Sequence, residues 1–304
     1  MNGIDWIAVD WGTSNLRAWG RSADGQVLAE ASSDRGMAKL DRAGFEPALL
    51  DLIESWLPQN RKTPVIACGM AGARQGWIEV PYRQAPCKPD VGDSFGCPET
   101  RDPRLMVRVL AGIKQTKPAP DVMRGEETQI AGILLENPGF AGVLCLPGTH
   151  TKWVEISDGV IARFQTFMTG ELFNLLATQS VLRHSVAGAG WDSSEFAASV
   201  KLMISEPQNF AAQLFSIRAD ALISGLDQAV ANARLSGILL GAELAAARRY
   251  WQGQEVTIVG NGTQSDVYAE GLRTLDQAPR IVDASTVTLA GLKSAYDQII
   301  GDLK

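Results

Sequence analysis

Two stretches, IAVDWGTSNLRAW at residues 7–19 and VLCLPGTHTKWVEI at residues 143–156, decide how this chain is read. Each is an apolar run that breaks at a glycine-threonine turn and returns as a second apolar run carrying a basic residue and a tryptophan, the pattern of a β-hairpin. The first run ends at Asp10 and turns through Gly12, Thr13 and Ser14; the second ends at Pro147 and turns through Gly148, Thr149 and His150. Arg17 follows the first turn and Lys152 the second. An internal echo separated by about half of a 304-residue chain predicts two related lobes facing one another.

The segments around these hairpins predict an α/β protein. FEPALLDLIESW, residues 45–56, has helical apolar spacing, and PVIACGMAGARQG, residues 64–76, reads as a buried strand opening into a glycine-rich loop. Residues 81–103 are rich in Pro, Gly and Asp and predict an irregular excursion, where function often resides. GEETQIAGILLE, residues 125–136, predicts a helix with Glu126 and Glu127 in its first turn. A largely helical region runs from Glu171 to Trp251, VTIVGNGTQ at 256–264 is a strand opening into a third glycine turn, and the C-terminus is helical. The expected division is an N-terminal lobe at 1–138, a C-terminal lobe at 139–286, and a helix at 287–304 packing back on the first lobe.

Composition removes several functional classes. Apolar residues make up 45% and charged residues 20%, which predicts a chain folded throughout. The 34 acids outnumber the 28 bases for a net charge of -6, against a nucleic-acid partner. Two histidines, His150 and His184, cannot build a multi-histidine metal site, and His184 is read as structural. The four cysteines lack C-x-x-C spacing and are read as reduced thiols. The N-terminus does not resemble a signal peptide, and no charge-free apolar run reaches the roughly 18 residues of a spanning helix, so a cytoplasmic protein with no membrane partner is expected.

An aspartate closing a strand before Gly-Thr-Ser places a hard carboxylate oxygen beside backbone N–H groups and hydroxyls, a set suited to a magnesium-bound polyphosphate. With the second hairpin and the V-G-N-G-T turn, the chain has parts to clamp β- and γ-phosphates and to let backbone approach an adenosine.

These three turns occur in the order of the phosphate-1, phosphate-2 and adenosine motifs of the superfamily of acetate and sugar kinases, the heat-shock chaperone ATPase and actin. More narrowly, VDWGTSNLRAW, DRGM, CGMAGARQGWIEVPY, RGEETQIAG, LPGTHTKWV, FMTGELF and LSGILLGAELAAA resemble the 2-dehydro-3-deoxygalactonokinase family. The resemblance implies a two-lobed actin-like ATPase fold, with a ribonuclease H-like, hairpin-rich mixed sheet and flanking helices in each lobe. It implies transfer of the ATP γ-phosphoryl group to the 6-hydroxyl of 2-dehydro-3-deoxy-D-galactonate, with Mg²⁺. The related gluconate acid, a polyphosphate-type hydrolase and a non-catalytic actin-like module are the alternatives.

On this resemblance Asp10 orients hydrated Mg²⁺, Gly12, Thr13, Ser14, Gly148, Thr149 and His150 contact phosphates, and Arg17 or Lys152 neutralises developing charge. The second hairpin lacks the Asp-x-Gly-Gly pattern of many relatives, leaving the metal to Asp10. Glu126 or Glu127, resembling the glutamate pair of exopolyphosphatases, takes or orients the hydroxyl proton. Arg74, in the loop with Gly69, Met70, Gly76 and Trp77, is the leading ligand for the substrate carboxylate, with Arg35 second. Gly260, Asn261 and Gly262 approach the base and Glu243 the ribose, while Gly237 and Gly241 are read as close-packing positions. The expected partners are the sugar acid and ATP; the oligomeric state is left open, a homodimer being the oligomer considered.

Overall fold

The computed structural model describes residues 3–90, 94–186 and 190–301. Part of the predicted excursion, 91–93, and the last residues of the predicted C-terminal segment, 302–304, lie outside the described residues. The chain divides into two compact units: one comprises residues up to Phe140, Asp158–Ala162 and residues from Ala284 onward, and the other Ala141–Ser157 and Arg163–Asp283.

The first unit begins with β1 (Trp6–Trp11), β2 (Leu16–Arg21) and β3 (Val27–Ser33), then α1 (Phe45–Ile53) and β4 (Thr63–Gly69). β5 (Arg83–Gln84), β6 (Phe95–Gly96), β7 (Leu105–Leu110), β8 (Ile113–Gln115), β9 (Asp121–Met123) and α2 (Glu126–Glu136) complete its N-terminal portion. The main sheet has the order β3-β2-β1-β4-β7-β6. β1 is antiparallel to β2 and parallel to β4, so the first hairpin lies inside the sheet. Both faces of β1 are covered, which is why its sequence is almost continuously apolar. Ile7, Val9 and Trp11 pack with Phe45, Leu49 and Ile53, while Trp6 and Ala8 pack with Leu292, Ala295 and Ile299 of the C-terminal helix.

The second unit contains β10 (Gly142–Leu146), β11 (Thr151–Ser157), β12 (Val160–Phe167), α3 (Thr169–Thr178), α4 (Ser193–Ser205), α5 (Phe210–Ile223) and α6 (Gln228–Ala246). It continues through α7 (Arg248–Trp251), β13 (Val256–Val259), α8 (Thr263–Arg273) and β14 (Arg280–Val282) before α9 (Ala284–Gly301) returns to the first unit. Its sheet order is β12-β11-β10-β13-β14, with β10 antiparallel to β11 and parallel to β13. This repeats the first sheet's arrangement around β1. The short β14 and the small β5-β8-β9 sheet were not expected from the sequence; three-residue strands are too short to show a period. Among the described residues, α6 is the one helix long and apolar enough to cross a membrane, and ten of its residues are buried within the second unit.

Glycines set the closest helix contacts. A Cβ at Gly132 on α2 would stand 2.0 Å from the Val287 carbonyl oxygen, and one at Gly291 on α9 would stand 2.0 Å from that of Thr128. Gly237 and Gly241 meet α4 in the same way, as the close-packing reading requires. Because α2 carries Glu126 and Glu127 at its first turn, the α2–α9 contact also fixes the height of the acid pair. Gly132→Ala is expected to lower Tm by about 3 °C or more. A thermal melt superimposing on wild type would show that the helices separate freely at this point.

Candidate functional site

In the first unit, hairpin register places Asp10 directly opposite Arg17, and parallel register places it beside Cys68 on β4. Arg17 Nη2 lies 2.7 Å from Asp10 Oδ2, while the Cys68 thiol donates weakly to Oδ1 at 3.8 Å. The Asp10 side chain is 18% exposed. Burial raises its carboxyl above the ordinary value, Arg17 works against that rise, and the charge of Glu126 adds to it. A Cβ on Gly125 would stand 3.3 Å from Gly69 Cα, so the end of β4, next to Cys68, packs against the residue that opens α2. Arg17, read from the sequence as a candidate to neutralise phosphate charge, has its guanidinium paired with Asp10 and its side chain 40% exposed.

The turn beyond Asp10 leaves Thr13 and Ser14 exposed and is closed by Gly12 N–H donating to Asn15 O at 2.8 Å. DRGM braces it from outside. Gly36, Met37 and Ala38 donate backbone N–H groups to the carbonyls of Ser14, Gly12 and Thr13. A Cβ on Gly36 would come within 2.5 Å of three backbone atoms of that turn. DRGM is therefore a structural support, a role its four letters alone did not disclose.

At the start of α2, Gly125 has φ +111 and donates its N–H to both Glu127 oxygens at 2.9 and 2.8 Å. Glu126 is half-buried and accepts from Arg124 N–H at 2.9 Å. Glu127 is fully enclosed, and burial, followed by the neighbouring Glu126 charge, pushes its carboxyl up to about 7. Asp10 and Glu126 are hard oxygen donors suited to a hydrated Mg²⁺. Among the described residues no group of three His, Cys, Asp or Glu forms a metal cage, so such an ion would keep water and phosphate ligands.

The predicted sugar-acid loop is less uniform than its sequence suggested. Arg74 is exposed, and its backbone oxygen, like that of Gly76, accepts from Arg42. Met70 is half-buried and follows Gly69 at the end of β4. Arg35 forms an exposed pair with Asp51, and Trp77 packs against Phe45 and Trp11, with ring centroids at 6.2 and 6.0 Å, while also lining a cleft with Arg42, Glu46 and Arg101. Sequence reading also passed over Arg124. Its Nη2 donates to Val80 O at 2.8 Å and its guanidinium lies 4.2 Å over Tyr82. Its buried Nε and Nη1 find no hydrogen-bond partner among the described residues. The basic residue before the two acids was the available signal.

In the second unit, Gly148 O accepts from Gln264 Nε2 at 2.8 Å, and Thr149 O accepts from Glu171 N–H at 3.0 Å. Glu171 Oε2 lies 2.5 Å from His150 Nε2, and a Cβ on Gly170 would stand 2.3 Å from Gly148 O. FMTGELF thus supports this turn as DRGM supports the first. Lys152, expected at phosphate, is buried and donates to His150 O at 3.1 Å. Gly260, Asn261 and Gly262 connect β13 to the start of α8, with Asn261 Nδ2 held by Asp283 at 3.0 Å. Beside them is an open cleft of about 770 Å³, lined by Phe173, Trp191, Asn232, Ser236 and Gln264 among others. Glu243, read as a ribose ligand, is corrected: it is 3% exposed and already accepts from Trp153, Tyr268 and Thr169. His184 is exposed on a short 3-10 turn.

Two units, each with a hairpin inserted beside a parallel strand and opening on a Gly-Thr turn, define an actin-like ATPase fold of the sugar-kinase class. The activator of 2-hydroxyisocaproyl-CoA dehydratase from Clostridium difficile has the same fold at TM-score 0.53 and 11% identity, covering 98% of this chain and 96% of that one. Residues 10–295 match the family described as 2-keto-3-deoxy-galactonokinase, and the chain belongs to that family of ATP-dependent sugar-acid kinases. It is 39% identical over 298 residues to "Probable 2-dehydro-3-deoxygalactonokinase DgoK1" of Rhizobium meliloti strain 1021, covering 95% of this chain and 96% of the relative. It is 32% identical to the 2-dehydro-3-deoxygalactonokinase of Escherichia coli strain K12, with the same coverages. A crystal structure from Sinorhizobium meliloti assigned to this enzyme has TM-score 0.89 and 37% identity, covering 97% of this chain and 99% of that one.

The raised Glu127 carboxyl predicts a pH dependence of stability. The folded protein holds this proton to about 7, whereas the unfolded chain releases it near 4.5. The associated stability is complete below 4.5 and is lost as pH rises to about 7, a difference of about 3 kcal/mol. Glu127→Gln should flatten the fall in Tm over this window, measured against wild type at each pH. Parallel curves for the two proteins would refute the raised value.

Proposed function

We propose that this chain transfers the γ-phosphoryl group of ATP to the 6-hydroxyl of 2-dehydro-3-deoxy-D-galactonate. Family membership supports the kinase class, and the observation that carries the assignment of roles is the nearness of Asp10 to the Glu126–Glu127 turn: Gly125 packs against Gly69 at the end of β4, the strand beside Asp10, and the Glu126 charge acts on the Asp10 carboxyl. A carboxylate for a hydrated cation and a carboxylate for a hydroxyl proton are what phosphoryl transfer asks of the acceptor side. The cation, when bound, supplies charge neutralisation on the phosphate oxygens.

Asp10 would hold the hydrated Mg²⁺, beside the guanidinium of Arg17. Exposed Thr13 and Ser14, with their backbone N–H groups, receive phosphate oxygens, and Gly148, Thr149 and His150 do so in the second unit. The cleft beside Gly260–Gly262 takes the adenosine, whose flat base suits the Phe173 and Trp191 walls. Glu126, the less enclosed acid, takes the acceptor's hydroxyl proton, and Glu127 fixes the turn that presents it. Arg74, exposed beside Gly76, receives the substrate carboxylate. The enzyme acts in the cytoplasm on two small anions, without a nucleic-acid or membrane partner.

An ADP-release assay against 2-keto-3-deoxy sugar acids and plain sugars is expected to show stimulation by the galactonate acid above the gluconate acid. Equal ADP release with no acceptor would favour a hydrolase and overturn this reading. Asp10→Ala should abolish turnover in a folded protein, while Glu126→Gln should lower kcat about 100-fold or more with little change in KM. Near-normal kcat in either variant would remove that residue from its role.

A further inference from the structure

Glu243 is a buried carboxylate committed to donors from three other elements. Trp153 Nε1 on β11 donates at 2.7 Å, the Tyr268 hydroxyl on α8 at 2.8 Å, and the Thr169 hydroxyl, at the first residue of α3, to Oε2. The Tyr268 hydroxyl has one proton, given to Glu243, so the Thr151 hydroxyl 2.6 Å away must donate to the tyrosine. The network runs Thr151 to Tyr268 to Glu243, with Thr169 and Trp153 joining at the carboxylate.

An ion in this position is a poor source of stability, since taking a carboxylate out of water costs several kcal/mol and an apolar side chain of similar volume often packs as well. Its partners suggest another purpose. Thr169 and Tyr268 line the 770 Å³ cleft. Thr151 adjoins His150, and Thr169 adjoins Gly170, whose contact with Gly148 shapes the second phosphate turn. One carboxylate therefore connects the cleft wall to both ends of the support beneath that turn.

We infer that Glu243 is the positioning residue of the nucleotide half-site: it holds α3 and β11 in the register that forms the phosphate turn and the adenosine cleft together, without touching the nucleotide. This inference rests on the kinase reading and deepens it. Rotating Thr169 out of the network would move Gly170 and Glu171 and release the turn, so the cost should appear in nucleotide affinity.

Calorimetric titration with a non-hydrolysable ATP analogue tests it. Glu243→Leu is expected to weaken analogue binding about tenfold or more, with KM for ATP rising while kcat and KM for the sugar acid hold. Glu243→Gln can accept from Trp153 and donate its amide protons to Thr169 and Tyr268, and should recover most of that affinity. A folded leucine variant with wild-type affinity overturns the inference, as does a glutamine variant no better than leucine. If Glu243→Leu does not fold, Thr169→Val carries the test: weakened binding at unchanged Tm supports the role, and unchanged binding refutes it. A wild-type protein that does not bind the analogue overturns the kinase reading itself, and the inference with it.

Discussion

Gly36 lies so close to the Thr13–Asn15 turn that a methyl group in its place would stand 2.3 Å from Ser14 C and 2.4 Å from Thr13 O. Gly170 lies against Gly148 and Thr149 in the same way. The first turn has one closing bond of its own, from Gly12 to Asn15. Its shape is consequently imposed by a neighbouring segment whose backbone approaches without a side chain between. Each unit solves this with a different stretch of chain, DRGM in one and FMTGELF in the other. The hairpins, sheet order and helix packing can be understood as the means of holding that pair of segments in place.

Behind each turn the structure buries acid. Asp10 is given Arg17 and a thiol, Glu127 is given the Gly125 N–H, and Glu243 is given three side-chain donors. In all three, burial is the largest influence and raises the carboxyl above its ordinary value. Such groups stabilise little, and their value lies in a fixed direction or a readily exchanged proton. A net charge of -6 in a kinase of two anionic substrates leaves their recognition to local groups, as proposed above, with the overall field contributing little.

The hairpins, the α2 helix with its two acids and the helical run before β13 were legible because each has a sustained period and a glycine boundary. Individual polar side chains were legible only where a turn constrains them. Thr13, Ser14 and Thr149 stand exposed at their turns as their motifs suggested. Lys152 and Glu243 carry the same chemistry in the sequence as free ligands, yet both are buried against protein partners, while Arg35 and Arg17 form exposed ion pairs. Trp77, named in the sequence only as part of the Arg74 loop, packs beside Trp11 and also lines a cleft. Arg124 and Glu171 went unread because their partners, Val80 and His150, are 44 and 21 residues away.

The sequence by itself determined the α/β class, the repeated hairpin, the positions of the three glycine turns and the family, because these depend on local periodicity and on which residues tolerate a turn. Tertiary structure decided which charged groups remain available to a ligand. An ion pair or a buried hydrogen bond depends on distance and desolvation across segments remote in the chain, and no spacing of letters encodes either. Asp10 meets Arg17 across a hairpin, seven residues on, but its thiol neighbour is Cys68, fifty-eight residues away on a parallel strand. That second contact exists only once the sheet has formed.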